Sequence, residues 1–275
     1  MDNVIRSQDN LRYRGWQKLL KKKYRDREGR CLIEGDNLIE EADRNGVKIH
    51  GIILKENAPV RDRTRAVTDK GVPVTVLAEK LFTTLSQTEA SQGALAEIEI
   101  PRFAEGDIER GRGGSGNIVV LDRLQDPGNL GTIIRTADAA GFDGIICLKG
   151  TAEVWAPKVM RSAAGSVFRV PTVYVGNPKE LLELMGRTGK KLAVTAFDEA
   201  TGLWDAPIER DTAIVIGNEA TGVSEELMRA ADLKINIPMY GEIESLNAAV
   251  AAGIIMYESV RKNTGEGREN AGKTE

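Results

Sequence analysis

The chain holds a single histidine among its 275 residues. That residue, His50, sits in the strand-like run VKIHGIIL, so no His/Cys zinc cluster can be assembled and no metal site is expected. No imidazole accompanies the polar motifs of the C-terminal half either, which argues against Ser-His-Asp hydrolysis. Cysteine is nearly as scarce: Cys31 and Cys147 lie far apart in apolar runs, as reduced core thiols do, and form no disulfide framework. No apolar run approaches the roughly 18 to 20 residues of a membrane helix, and the opening MDNVIRSQDNLRYRG lacks the apolar core of a signal peptide. A cytoplasmic protein without membrane contact is expected. The absence of G-x-x-x-x-G-K-[ST] removes the P-loop NTPases. Gly111, Gly113 and Gly116 match G-x-G-x-x-G by letter, but they precede the strand IVVLD instead of following one and opening a helix, so dinucleotide binding is rejected.

What remains is a globular composition, 41% hydrophobic and 29% charged, long enough for two modest domains. The net charge of −3 is uneven: residues 1–30 carry ten Lys or Arg against four acids. A basic end on an acidic whole suits a polyanion, and equally suits a solvated helix face. Lys21, Lys22, Lys23 and Arg30 are the candidates for contact with such a polyanion at this end. Tyr13, Trp16 and Tyr24 interleave with the charges and can either stack on bases or form the buried side of the helix.

The segment from Ser7 to about Lys23 reads as a helix, followed by a strand, a turn and an amphipathic helix in CLIEGDNLIEEADRNG. IHGIIL, a helix near 62–70, VPVTVL, a helix near 79–86 and GALAEIEI complete an α/β unit over residues 1–104. Residues 105–116, rich in Gly and charge, read as a flexible linker. From Asn117 the alternation restarts with continuous apolar strands and runs to about residue 262, which indicates a parallel sheet covered on both faces. Residues 263–275 read as a disordered tail.

Three polar corners fall at strand ends of this second domain, where such sheets bind ligands. The first is LDRLQDPGNLGTIIRTADAAGF, the second VIGNEATGVSEEL, and the third the Ser245-Leu246-Asn247 corner before a helix crowded with Ala248, Ala249, Ala251, Ala252 and Gly253. Each Asn-Gly corner alone is an ordinary turn or cap. Three in one domain, beside Arg, Glu and Ser, favour a composite binding site.

NLGTIIRTADAAGF, IVIGNEATGVS and INIPMYGEIESLNAAVAAGIIMYE resemble, in order and spacing, the three motifs of the SpoU family, RNA ribose 2′-O-methyltransferases of the SPOUT class. The resemblance covers about residues 117–260, including MRSAAGSVFRVP between the first two motifs. Residues 1–104 resemble more weakly the ribosomal-protein-like substrate-binding domain of the family, through Arg30 and LIEGDNLIEEA; a His-Gln-Gly of that domain appears here as Ser91-Gln92-Gly93. The resemblance implies a SPOUT sheet with a deep trefoil knot, an exception to the general absence of knots, and S-adenosylmethionine as cofactor. It also implies a homodimer whose active site is completed across the interface.

By the same resemblance Asn129, Arg135, Glu219, Ser245 and Asn247 are the catalytic candidates, and Gly217, Asn218, Ile237 and Leu246 contact the cofactor. Methyl transfer from an activated donor asks little of the protein beyond alignment, so Asn, Glu, one Arg and backbone loops suffice chemically. A guanidinium resists deprotonation. For Arg135 a bidentate grip on the target phosphate and stabilisation of the developing alkoxide is therefore preferred over base action. An ion pair with Asp138 at i,i+3 is the structural alternative. The expected reaction is 2′-O-methylation of rRNA, 23S rRNA first, with a tRNA substrate or a non-catalytic RNA-binding module of ribosome assembly as alternatives.

Overall fold

The computed structural model describes residues 4–88, 91–113 and 116–271. The chain divides into two compact units, one of Met1–Arg102 with Trp155–Phe168, the other of Phe103–Val154 with Arg169–Glu275.

In the first unit, β1 (Val4–Ile5), β2 (Arg30–Glu34), β3 (Ile49–Lys55), β4 (Val74–Leu77) and β5 (Ala94–Glu99) form a five-stranded sheet in the order β1-β4-β3-β5-β2. The sheet is mixed: β5 runs antiparallel to β2 and β3, while β3, β4 and β1 are parallel. Helices α1 (Leu11–Leu19), α2 (Lys22–Glu28), α3 (Asp36–Arg44), α4 (Asp62–Thr68) and α5 (Glu79–Leu85) cover it. The single N-terminal helix expected from sequence is two. Lys21 is extended (φ −102°, ψ 130°) between them, and the buried Arg25 guanidinium donates to the carbonyls of Leu19 and Leu20, both at 2.9 Å, taking up acceptors that the end of α1 leaves open. Tyr13 and Trp16 are 0% and 3% exposed, so they belong to the core and not to a stacking surface.

The second unit is built on β6 (Ile118–Leu121), β7 (Gly144–Leu148), β8 (Thr172–Val175), β9 (Lys191–Thr195), β10 (Thr201–Gly202), β11 (Thr212–Ile216) and β12 (Leu233–Asn236). These form a seven-stranded, wholly parallel sheet in the order β10-β12-β9-β11-β6-β7-β8. Every residue of β6, β7 and β11 is buried, as a sheet covered on both faces requires. Its helices are α6 (Glu105–Arg110), α7 (Pro127–Ala139), α9 (Pro178–Thr188), α10 (Glu225–Ala230) and α11 (Ala248–Ala271); α8 (Pro157–Ala163) belongs to the first unit.

Three boundaries depart from the sequence reading. The expected linker contains α6, because Ile108 is fully buried and the Asp107 carboxylate accepts the Ala104 amide at 2.7 Å; residues 114–115 of that stretch lie outside the described residues. Trp155–Phe168 groups with the first unit, where Met160 lines one small cavity with Leu32 and Leu38. The expected tail begins inside a helix, since α11 runs to Ala271, and residues 272–275 lie outside the described residues. Neither cysteine forms a disulfide and both are buried; burial pushes the Cys147 thiol far up, as in an inert core thiol.

The chain leaves the sheet at β12 and must return past β9 and β11 before α11 packs along α7, the helix that follows β6. The small residues make this approach possible. Ala249 and Ala252 are buried, and a Cβ on Gly253 would come 3.7 Å from Thr136 Cγ2.

Candidate active site

Parallel strands bring their carboxyl ends to one edge of the sheet, and the three polar corners follow β6, β11 and β12 there. The first is organised by its own sequence. Asp126 caps α7 by accepting the Asn129 amide at 2.8 Å, and Pro127 occupies the first helical position, where its missing N–H costs nothing.

The second corner is a tight loop. Asn218 and Gly222 exchange two backbone hydrogen bonds at 3.0 Å, and the Asn218 side-chain oxygen accepts the amides of Ala220 and Thr221 at 2.9 and 3.0 Å. Its amide nitrogen donates to the Arg123 carbonyl at 2.8 Å, which ties the loop to the end of β6. Gly217 has no room for a side chain: a Cβ there would lie 2.4 Å from backbone atoms of Gly222 and Val223.

A chain of polar contacts then joins the corners. Both Glu219 oxygens are taken by backbone amides of the first corner, Gln125 and Asp126, each at 3.1 Å. Asn129 donates its side-chain amide to Glu219 at 3.2 Å and accepts from the Asn247 amide at 2.9 Å. Asn247 in turn caps α11, its oxygen accepting the amides of Ala249 and Val250 at 2.9 and 3.3 Å. Partial burial opposes ionisation of Glu219, but its hydrogen bonds, from its own backbone amide, those of Gln125 and Asp126 and the Asn129 side chain, outweigh it and hold the carboxyl below its ordinary value.

The structure therefore brings Asn129, Glu219 and Asn247 into direct contact, with Gly217 and Asn218 in the same loop. Arg135 stands six residues beyond Asn129 on α7, about 9 Å along the axis. It is exposed, and among the described residues it has no hydrogen-bond or ion-pair partner. The Asp138 alternative does not form, because that carboxylate is engaged by Arg112 at 3.0 Å and by Arg169 at 2.9 Å. Ser245 is exposed on the segment leading to Asn247, and Leu246 is half-buried beside it.

A cofactor with a purine, a ribose and a charged sulfur needs backbone donors and acceptors plus apolar contact. Gly217 follows the last residue of β11, Ile237 follows the last of β12, and Leu246 precedes α11, so their backbone groups lie outside the strand ladders. Half-buried Ile237 and Leu246, with exposed Met239 and Ile243 nearby in sequence, supply apolar surface. This donor set fits S-adenosylmethionine. Among the described residues no group of three or more His, Cys, Asp or Glu could hold a metal ion.

Arg30 and Lys21–Lys23 belong to the other unit. All four are exposed; Arg30 pairs with Glu97 at 3.0 Å and Lys22 with Asp26 at 2.9 Å. Sequence reading missed Asp122, which is 1% exposed, accepts the Ser224 amide at 2.6 Å and pairs with Arg123 at 2.8 Å. Arg123 itself is left-handed at φ 61°, a conformation that favours glycine and persists only where its surroundings enforce it. The signal was an aspartate placed directly after the buried run IVVL.

Comparison with known proteins gives consistent matches. Residues 116–257 match the SpoU rRNA Methylase family and residues 10–96 the MRM3-like substrate binding domain. The 23S rRNA (guanosine(2553)-2′-O)-methyltransferase RlmP of Bacillus subtilis is 38% identical over 255 residues, covering 92% of this chain and 97% of the relative. The crystal structure of the SpoU methyltransferase AviRb from Streptomyces viridochromogenes in complex with AdoMet superposes with a TM-score of 0.82 at 32% identity, covering 92% of this chain and 98% of that one. An AdoMet-bound rRNA methyltransferase from Sinorhizobium meliloti gives a TM-score of 0.82 at 29% identity, covering 94% and 97%.

Proposed function

This chain belongs to the SpoU rRNA methylase family, and from that premise we propose that it methylates a ribose 2′-hydroxyl of 23S rRNA with S-adenosylmethionine as donor. The observation that carries the reading is the hydrogen-bonded chain Glu219–Asn129–Asn247, which ties the three strand-end segments together on the helix that also carries Arg135, exposed and without a side-chain partner among the described residues. The match of both units, nearly end to end, to relatives named as rRNA methyltransferases supports rRNA over tRNA.

S-adenosylmethionine supplies a methyl group already activated on a sulfonium. The protein's task is alignment and charge stabilisation. Gly217, Ile237 and Leu246 offer backbone groups to the adenosine, and Asn218 fixes the loop that carries Gly217. Glu219, Asn129 and Asn247 hold the loop, α7 and α11 in register. Arg135 grips the target phosphate and stabilises negative charge on the ribose oxygen as its proton is lost to solvent. Ser245, exposed two residues before Asn247, is positioned to donate to substrate or cofactor.

The return of the chain from β12 to α7 is the passage that a trefoil knot would use. On this reading the protein works in the cytoplasm as a homodimer; Val250 and Tyr257, seven residues apart on one face of α11 and 51% and 52% exposed, support a self-associating surface there.

Calorimetric titration with S-adenosylmethionine and transfer of labelled methyl to protein-free 23S rRNA test the reading together. Saturable binding and one alkali-resistant linkage per rRNA are expected, because a methylated 2′-oxygen cannot attack its phosphodiester. Absence of cofactor binding by the pure protein would sink it.

A further inference from the structure

The N-terminal unit carries a cleft of about 390 Å³ that the methyl-transfer site does not use. Arg12, Gly15, Trp16 and Lys18 of α1 form one wall, and Arg27, Glu28 and Arg30, from the end of α2 and the start of β2, form the other. Glu97 of β5 bridges the two, accepting the Trp16 indole N–H at 2.9 Å and the Arg30 guanidinium at 3.0 Å.

Four cations thus face two carboxylates in a chain whose net charge is −3. Two of the four have no anionic partner among the described residues. The Arg12 guanidinium lies 5.3 Å from the Trp16 ring centroid and the Lys18 ammonium 5.9 Å from that of Tyr24, so aromatic faces orient both without neutralising them. Arg27 is shared between Glu28, at 3.0 Å, and the Tyr24 ring, at 5.0 Å.

Gly15 leaves the same wall open. It is the central residue of α1, where glycine weakens a helix, and a Cβ built on it would meet nothing within 4 Å. No packing inside the protein asks for a glycine there. A bare stretch of backbone in the wall of a cationic cleft lets a bulky, charged chain approach closely.

We propose that this cleft receives a phosphodiester segment of the RNA substrate, its phosphates lying against Arg12, Lys18, Arg27 and Arg30. The inference rests on the reading of the protein as an RNA methyltransferase and adds where its substrate is held. It shifts the contact away from the Lys21–Lys23 run, which does not line the cleft and whose Lys22 is engaged by Asp26. Trp16 is 3% exposed, so recognition is of the backbone and not by base stacking, and it positions RNA without reading its sequence.

The test is fluorescence anisotropy of the full-length protein with a fluorescein-labelled 23S rRNA transcript across a salt series. The double variant Arg12→Gln/Lys18→Gln is expected to raise Kd at least about tenfold and to flatten the logarithmic salt slope by about one to two. Gly15→Glu is expected to raise Kd comparably with no fall in Tm, because Glu forms helix better than Gly and a Cβ at this exposed position meets nothing within 4 Å. S-adenosylmethionine affinity stays at the wild-type value in both. Wild-type Kd and slope in both variants, with a wild type that methylates rRNA, would overturn the cleft. RNA affinity that depends on the cleft in a protein that neither binds the cofactor nor transfers methyl would instead remove the proposed function and leave the cleft standing.

Discussion

Arg135 differs from the hydrogen-bonded residues of the site, Asn129, Glu219 and Asn247, in what it does not touch. Asn129, Glu219 and Asn247 spend their hydrogen bonds on one another and on backbone, whereas Arg135 is exposed and unpartnered among the described residues. A group that stabilises charge only as the reaction proceeds should be free beforehand. Arg135→Ala is therefore expected to keep S-adenosylmethionine affinity within about twofold while kcat falls roughly a hundredfold or more, the effect of losing one preorganised donor; near-wild-type kcat in single-turnover assays would exclude it from the chemistry. Glu219 has the opposite character. Its carboxyl is held below its ordinary value of 4.5, so its contribution to the loop is fully present above that value and is lost as pH falls through the lower folded one. Calorimetry should show wild-type cofactor affinity falling on acidification through that window, with Glu219→Gln weaker above it and flatter in its profile, the two converging below it. Gly217→Ala places a Cβ 2.4 Å from Gly222 backbone, where no flexible side chain can yield. The loop must shift, and loss of cofactor affinity is the expected readout.

At the scale of elements, the meeting of α7 and α11 decides whether the third corner reaches the first. Ala252 is 1% exposed, so Ala252→Leu overpacks the contact, with an expected cost of about 1–3 kcal/mol seen as a lower Tm together with weaker cofactor binding. Gly253→Ala is the control: its Cβ would make an ordinary 3.7 Å contact with Thr136 and remove a helix-weakening glycine, so unchanged or raised Tm is expected. The elements legible in the sequence were those whose cause is local. IVVL, GIICL and AIVI read as strands because buried parallel strands are continuous apolar runs, and Asp126-Pro127 marks the start of α7 by capping chemistry. What escaped had distant causes. The break at Lys21 depends on Arg25 folding back onto the carbonyls of Leu19 and Leu20, and α6 depends on burying Ile108, neither of which a local composition can announce. In the site, residue types and spacing marked three polar corners at strand ends and only the resemblance to the SpoU motifs singled out Asn129, Glu219 and Asn247; their hydrogen-bonded order and the contacts of Asp122 required three strand ends to be seen together.

For the whole molecule, the exposed side of α11 raises the question of what covers it. Val250 and Tyr257 are half-exposed on a helix whose opposite side packs on α7 with Ala249 and Ala252 buried. Two large apolar side chains on one face are a modest patch by themselves. They lie on the same helix that Asn247 caps, so a second copy docked there would stiffen the segment carrying Ser245 and Leu246. Cofactor affinity and self-association should then be coupled. Val250→Glu/Tyr257→Glu, which leaves Glu219, Asn129 and Asn247 in place, is expected to sediment as a monomer where the wild type sediments as a dimer. Its methyl transfer should fall in step with dissociation and recover partly at high protein concentration. A double variant that is monomeric at every concentration yet fully active would show that one chain holds a complete site. A variant that remains dimeric would move the interface to another face.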